Sequence, residues 1–155
     1  MTAVSTEVER FWAECRRVRP DLATAEFRVR RFGSTPERCR NLLNLIRAGE
    51  KTATFSLLWE LEASGNPLPK RGDCFVVTDF DGVPGCAIRM INVSSVPYRE
   101  VSAEQTRHEG PAAREVEAWR QVHWQHWATS LQRISRKPNE DMIVVFQHFE
   151  VLHSA

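Results

Sequence analysis

The sequence lacks the features that mark a membrane or secreted protein. Across its 155 residues no uncharged run approaches the roughly 20 residues that a membrane-spanning helix requires. The segment from Met1 to Arg10 contains no apolar h-region of the kind found in signal peptides. We therefore expect neither a membrane partner nor a secretion signal, and we expect a cytoplasmic protein.

The cysteines lack the spacing of a metal site or a redox motif. Neither a C-x-x-C pair nor a zinc-type pattern occurs among the cysteines, which are Cys15, Cys39, Cys74 and Cys86. Each of them lies in an apolar stretch, and buried free cysteine behaves as a small hydrophobic residue. We expect four reduced core residues, and neither a metal nor a cofactor.

The chain also lacks an excess of either charge. It has 21 Lys plus Arg against 20 Asp plus Glu, with 42% apolar residues. This balance does not by itself indicate a partner bound through bulk charge, so any contact with nucleic acid has to depend on a local patch. The length and the apolar content are sufficient for one globular domain with a real core.

Two segments are predicted to be helices because their apolar residues recur at helical spacing. The first is Thr6–Val18, where Thr6 and Glu9 have the form of a capping box. The second runs from about Pro36 to Ala48, and Thr35 is placed to cap it. Both segments are amphipathic, so each should bury one face.

The segment that follows the second helix changes to a β-type pattern. Gly49 stands where a left-handed residue ends many helices, and the β-branched segment Lys51–Ser56 follows it. Further along, Phe75–Thr78 and Cys86–Val93 read as strands, and the Asp-Gly and Pro-Gly steps in Asp79–Gly85 indicate a turn between them. These segments predict a β-hairpin.

The last third of the chain contains a long helical pattern over Ala112–Ile134 and a final strand over Met142–Leu152. The segment Glu62–Asp73, rich in glycine and proline, reads as a connecting loop. Helices therefore alternate loosely with antiparallel strands. This pattern predicts the α+β class with a small mixed or closed sheet.

The segment Gly49–Ser56 carries a cluster of one ammonium and three hydroxyls just after a helix end, from Lys51, Thr52, Thr54 and Ser56. A desolvated lysine can serve as a general base or an electrostatic clamp, and a nearby hydroxyl can serve as a nucleophile. By itself, however, the string favours an exposed strand of ordinary polar residues. In a regular strand Lys51 and Thr54 point to opposite faces, so their cooperation requires a bend between them.

Arg89 lies within a continuous apolar run and needs a carboxylate of the protein or a phosphate of a ligand as its partner. On the long helix, Trp119 and Trp127 fit a core stripe, whereas Trp124 lies off this stripe and is the better candidate for a ligand contact. His123 and His126 could touch one metal, but no third ligand accompanies them at a diagnostic spacing.

Several motifs in order resemble the ASCH-domain family of the PUA-like superfamily. The matching motifs are Gly49-x-Lys51-x-x-Thr54-x-Ser56, Leu57-Leu58-Trp59-Glu60, Pro69-Lys70-x-Gly72-Asp73, Ile88-Arg89, Val96-Pro97-Tyr98-x-x-Val101, Glu109-Gly110 and Trp119-Arg120-x-x-His123-Trp124. The resemblance implies a PUA-like small β-barrel with flanking helices, including an N-terminal helix. It also implies an N-terminal helical extension over residues 1–30 followed by an ASCH domain over residues 31–155.

The resemblance implies an RNA-binding hydrolase whose cleft takes RNA or a modified nucleoside. Ribonuclease activity on single-stranded RNA is the leading expectation, and hydrolysis of N4-acetylcytidine or RNA binding without catalysis are the alternatives. Lys51, Thr54 and Glu109 match the catalytic triad of the short amidohydrolases of the family. The ligand contacts that we carry over with them are Ser56, Trp59, Arg89, His123 and Trp124.

Overall fold

The computed structural model describes residues 4–155, which divide into two compact units. The first unit contains the chain up to residue 50 together with residues 71–91 and 149–155, and the second contains residues 51–70 and 92–148. The predicted division into an extension over residues 1–30 and a domain over residues 31–155 stays a prediction. The first three residues of that extension, and of the segment read for a signal peptide, lie outside the described residues.

Within residues 4–155 the helices and strands alternate as the sequence predicts for the α+β class. The helices are α1 Thr6–Val18, α2 Pro36–Arg47, α3 Leu58–Ser64, α4 Ala103–Thr106 and α5 Val116–Ser130. The strands are β1 Arg28–Arg31, β2 Ala53–Leu57, β3 Cys74–Thr78, β4 Pro84–Pro97 and β5 Ile143–Ser154. The predicted class and the N-terminal helix are confirmed.

The described strands form one mixed five-stranded sheet in the order β1-β3-β4-β5-β2. β1 runs parallel to β3, whereas β3 pairs with β4 and β2 pairs with β5 in antiparallel register. The predicted hairpin is therefore present as β3 and β4. Because β4 and β5 are long, each contributes residues to both units.

The first unit is organised around the apolar face of α1. Val8, Phe11, Trp12 and Cys15 point into a buried cluster that also holds Cys74 of β3. The capping residue of this helix differs from the prediction: the backbone N–H of Val8 donates to the side chain of Ser5, so the cap lies one residue before Thr6. All four cysteines are free and buried, as expected.

The second unit has its core between β2, β5 and α5. Trp119 and Trp127 are buried at 0% and 2% exposure, which confirms the predicted core stripe of this helix. On β2, Ala53, Phe55 and Leu57 face the same cluster. The alternation of a strand therefore places Thr54 and Ser56 on the other face of β2.

Three elements differ from the sequence-based expectations. The composition of the segment Glu62–Asp73 predicts a loop from its first residue, but α3 continues to Ser64 and is capped by Gly65, whose φ of 73° is left-handed. β1 is a short edge strand rich in arginine, which lacks an apolar pattern of its own and forms by pairing with β3. The long helical pattern ends as a helix at Ser130 and continues as a single 3₁₀ turn to Ile134.

Candidate functional site

Lys51 and Glu109 form an ion pair within the second unit, although 58 residues separate them in the chain. Lys51 Nζ donates to Glu109 Oε1, and the two side chains are only 6% and 7% exposed. A backbone hydrogen bond next to the pair holds the two segments together, since the N–H of Thr52 donates to the carbonyl of His108 at 2.8 Å. The structure therefore brings together two of the three predicted catalytic residues.

The loop that carries Glu109 is fixed by a short network of side-chain contacts. Thr106 Oγ1 donates to the carbonyl of Arg114 at 2.8 Å, and Arg114 Nε donates to the carbonyl of Glu109 at 3.0 Å. The backbone N–H of Gly110 donates to Glu109 Oε1 at 3.1 Å. With two donors on one oxygen, the Glu109 carboxylate is oriented before any ligand binds.

His123 completes a cluster of three titratable side chains. Its Nδ1 donates to the carbonyl of Trp119 at 2.8 Å, so the lone pair of its Nε2 faces Glu109 Oε2 at 3.7 Å. The ring stacks on Trp119 at 4.3 Å between ring centroids and meets Phe55 edge-on at 5.7 Å. Burial lowers the pKa of His123 to about 4, against a smaller opposite effect of Glu109. At neutral pH His123 is thus a neutral imidazole beside the Lys51–Glu109 ion pair.

The low pKa of His123 predicts a loss of stability in acid. In the unfolded chain this imidazole takes up a proton near pH 6.5, whereas in the folded protein it stays neutral down to about pH 4. Because the unfolded state binds more protons in that interval, the free energy of unfolding should fall by about 3 kcal/mol as the pH decreases across it. This contribution is fully present above pH 6.5. The measurement is urea unfolding at several pH values.

The variant His123→Phe retains an aromatic ring but cannot be protonated, so it should lack this part of the pH dependence. His126→Gln, which changes an exposed histidine on the same helix, is the matched control. An equal pH dependence in wild type and His123→Phe would contradict the prediction.

Thr54 and Ser56 lie on the face of β2 that is opposite to Phe55. Thr54 is paired in register with Gln147 of β5, and Gln147 Nε2 donates to Ser56 Oγ at 2.9 Å. Phe55, on the other face of β2, is the residue whose ring contacts His123. The roles of both hydroxyls stay predictions.

The two tryptophans predicted to contact a ligand lie in different places. Trp59 of α3 is half-buried against the core of the second unit, and the guanidinium of Arg136 stacks on its ring at 4.4 Å. Trp124 packs against Tyr98 at 5.2 Å between ring centroids and lines a groove of about 410 Å³. The lining residues of this groove are Tyr98, Glu117, Arg120, Gln121, Trp124, Gln125 and Glu140.

Arg89 belongs to the first unit, where two carboxylates hold its guanidinium. Its Nη2 lies 2.6 Å from Glu150 Oε1, and its Nη1 lies 3.1 Å from Asp21 Oδ2. Of the two alternatives left open by the sequence, these contacts favour a structural ion pair over a phosphate contact.

Sequence reasoning did not single out His108 and His148, whose rings stack in the second unit at 4.0 Å between centroids. The position of His108 directly before Glu109 was the one available signal. Among residues 4–155, no group of three or more histidine, cysteine or acidic side chains is arranged to hold a metal ion. In the same part of the chain, no helix is long and apolar enough to cross a membrane.

Comparison with known proteins identifies the class. The family model of the ASCH domain matches residues 28–153, so the chain belongs to the ASCH domain family, which is generally linked to RNA binding. The crystal structure of an ASCH domain from Lactobacillus crispatus JV V101 superposes with a TM-score of 0.88 at 25% identity, covering 98% of each chain. A protein of Enterococcus faecalis V583 superposes with a TM-score of 0.84 at 29% identity, covering 94% of this chain and 87% of its own. No curated protein matched in the sequence search.

Proposed function

We propose that this protein binds single-stranded RNA and cleaves it at the cluster of Lys51, Glu109 and His123. The observation that carries the proposal is the buried Lys51–Glu109 pair beside a neutral imidazole. These groups supply a positive charge for a phosphoryl oxygen and a lone pair that can accept a proton. Membership of a family linked to RNA binding supports RNA as the ligand.

The proposed cleavage is an intramolecular transfer within the RNA. The 2′-hydroxyl attacks the adjacent phosphorus while His123 Nε2 accepts its proton, and the bond from phosphorus to the 5′-oxygen breaks. The leaving 5′-oxygen takes a proton from water, which yields a 2′,3′-cyclic phosphate and a 5′-hydroxyl. Lys51 offsets the charge that develops on the phosphoryl oxygens, and Glu109 holds Lys51 in place.

A second candidate function is hydrolysis of the acetyl amide of N4-acetylcytidine. It is favoured by the direct contact of Lys51 with Glu109, two of the three residues that the family resemblance implies for this reaction. In that mechanism Lys51 first passes a proton to Glu109 and then accepts the hydroxyl proton of Thr54 as Thr54 attacks the acetyl carbonyl. The C–N bond breaks as the departing N4 amine takes that proton from Lys51, and water then hydrolyses the acetyl ester of Thr54 to acetate. The position of Thr54 on the opposite face of β2 makes Thr54→Val the informative variant. This variant should abolish deacetylation and leave RNA cleavage unchanged.

The test is incubation with single-stranded RNA oligonucleotides and with N4-acetylcytidine, with the products read by mass spectrometry. We expect Lys51→Ala to lower turnover by about 10²-fold or more, because one preorganised charge at the reacting group is worth that much. Lys137→Ala, which removes an exposed lysine of the same unit, should leave turnover unchanged.

Lys51→Arg distinguishes the two roles of the lysine. An arginine retains the positive charge but cannot act as a base at neutral pH. Substantial turnover by this variant supports the electrostatic role assigned for RNA cleavage, and its loss supports the general-base role of the amide reaction. Absence of product from both substrates would reject hydrolysis and leave RNA binding without catalysis.

A further inference from the structure

A pair of stacked imidazoles lies beside the candidate site. The rings of His108 and His148 are 4.0 Å apart between centroids and inclined by 30°. Both side chains are half-buried, and both lie against the ring of Phe146, at 6.0 and 6.1 Å between centroids. His108 directly precedes Glu109, and His148 is the register partner of Ala53 on β2.

The imidazole pair and the candidate site share one face of the β2–β5 ladder. Phe146 is paired in register with Phe55, and residues paired in this way project from the same face. The ring of Phe55 contacts His123, whereas the ring of Phe146 contacts His108. The hydrogen bond from Thr52 N to the carbonyl of His108 joins the two groups of residues at the backbone.

Within residues 4–155, this surface offers hydrogen-bond donors without an acceptor. Arg107 Nε donates to His108 Nε2 at 3.4 Å, so the ring proton of His108 resides on Nδ1 and is shared with Thr52 Oγ1 at 3.3 Å. This arrangement leaves the Thr52 hydroxyl hydrogen and the terminal guanidinium nitrogens of Arg107 available. Within residues 4–155, Arg107 has no carboxylate partner and the imidazole of His148 makes no hydrogen bond.

Arg107 brings a positive charge to the same place. Burial lowers the pKa of both imidazoles, and the charge of Arg107 lowers the pKa of each further. His148 acts on His108 in the same direction. The carboxylate next to them in the chain, that of Glu109, is already paired with Lys51. Unpaired donors and positive potential together are the conditions under which an anion binds.

We propose that Thr52, Arg107, His108 and His148 form a subsite for a phosphate group of the RNA, adjoining the site of Lys51 and Glu109. The choice of RNA as the source of the phosphate rests on the proposed function. A guanidinium and a hydroxyl bind phosphate oxygens directly, and the imidazoles add donors when they are protonated. The subsite positions the chain of the ligand next to the candidate site.

The subsite couples ligand binding to proton uptake. A bound phosphate faces His108, His148 and Arg107 and stabilises the protonated imidazoles, so the complex holds more protons than the free protein. By linkage, the affinity for a phosphodiester increases as the pH falls from 8 to 6, by at most about tenfold per pH unit for each proton taken up.

The experiment uses a ligand that contains one phosphodiester and resists cleavage. A dinucleoside monophosphate with 2′-O-methyl groups lacks the 2′-hydroxyl nucleophile and stays singly charged between pH 6 and pH 8. Its dissociation constant is compared with that of 2′-O-methylcytidine, which has no phosphate. We expect Arg107→Gln to weaken binding of the dinucleotide about tenfold and to lower the slope of log affinity against log salt by about 0.7, while binding of the nucleoside is unchanged.

Arg133→Gln is the matched control, because Arg133 is an exposed arginine of the same unit. His148→Gln should reduce the pH dependence of dinucleotide binding without changing the binding of the nucleoside. Equal dinucleotide affinities of Arg107→Gln and Arg133→Gln, or a wild-type affinity that is the same at pH 6 and pH 8, would overturn the subsite.

Inorganic phosphate distinguishes the source of the anion. Imidazole NMR resonances of His108 and His148 that shift with inorganic phosphate as well as with the dinucleotide show a subsite that also takes free phosphate. A shift with the dinucleotide alone shows that the phosphate must belong to RNA. If neither ligand shifts them, the proposal is rejected.

The same protein samples separate this proposal from the proposed function. If no RNA is cleaved but dinucleotide binding depends on Arg107, hydrolysis is rejected and the phosphate subsite stands. If RNA is cleaved but Arg107→Gln binds the dinucleotide as the wild type does, the subsite is rejected and hydrolysis stands.

Discussion

Replacing Trp119 by alanine should lower the free energy of unfolding by about 3–5 kcal/mol. The indole is completely buried and contacts the rings of Phe55, Tyr98, His123 and Trp127. The substitution reduces the apolar area that folding buries. It also leaves a cavity that the neighbouring rings of α5 and β2 cannot fill. Urea unfolding followed by circular dichroism measures the loss.

Trp124→Ala is the matched control on the same helix. Trp124 is half-buried and lines an open groove, so its truncation should cost clearly less stability than that of Trp119. RNA binding by Trp124→Ala tests its predicted ligand contact, and weakened binding with a nearly unchanged melting temperature is the expected result. Equal destabilisation by the two variants, with no change in RNA binding, would show that Trp124 is a core residue and not a ligand contact.

Breaking the Lys51–Glu109 pair from one side should cost about 3–5 kcal/mol. In Lys51→Met the carboxylate of Glu109, at 7% exposure, loses its counter-charge and stays out of contact with water. The cost is the free energy of leaving a buried charge without a partner. This cost exceeds the stabilisation that the ion pair itself contributes. We therefore expect a lower urea midpoint for Lys51→Met at neutral pH.

The double variant Lys51→Met with Glu109→Gln should recover most of this loss. The glutamine carbonyl can still accept the hydrogen bond from the N–H of Gly110, so no backbone donor is left without a partner. Four proteins, the wild type, both single variants and the double variant, give a double-mutant cycle. Additive effects of the two substitutions would show that the pair does not interact in the way the structure describes.

The local elements could be predicted well from the sequence. Thr35 caps α2 as expected, with its side chain accepting from the N–H of Arg38, and Gly49 has the positive φ of 76° that the helix end requires. The stripe of Trp119 and Trp127 was predicted from spacing alone. These features depend on interactions within one or two helical turns, so the sequence contains all of the information that they need.

The sequence did not predict β1 and α3, because their own residues carry little local signal. The arginine-rich segment of β1 has no apolar alternation, and its hydrogen bonds come from β3, more than 40 residues away in the chain. α3 is only seven residues long and is followed directly by glycine and proline, so the loop signal dominated its short helical pattern. An element that is stabilised by distant partners leaves little signal in its own residues.

By itself, the sequence determined the α+β class and the positions of the main helices, and its resemblance to the ASCH-domain family made Lys51, Thr54 and Glu109 functional candidates. Only the tertiary structure decided which of the candidates meet. The pairing register of β2 with β5 turns Phe55 toward His123 and Thr54 toward Gln147, and a shift of one residue would exchange these faces. Lys51 and Glu109, 58 positions apart, meet where the N–H of Thr52 donates to the carbonyl of His108, a long-range contact that no local pattern encodes.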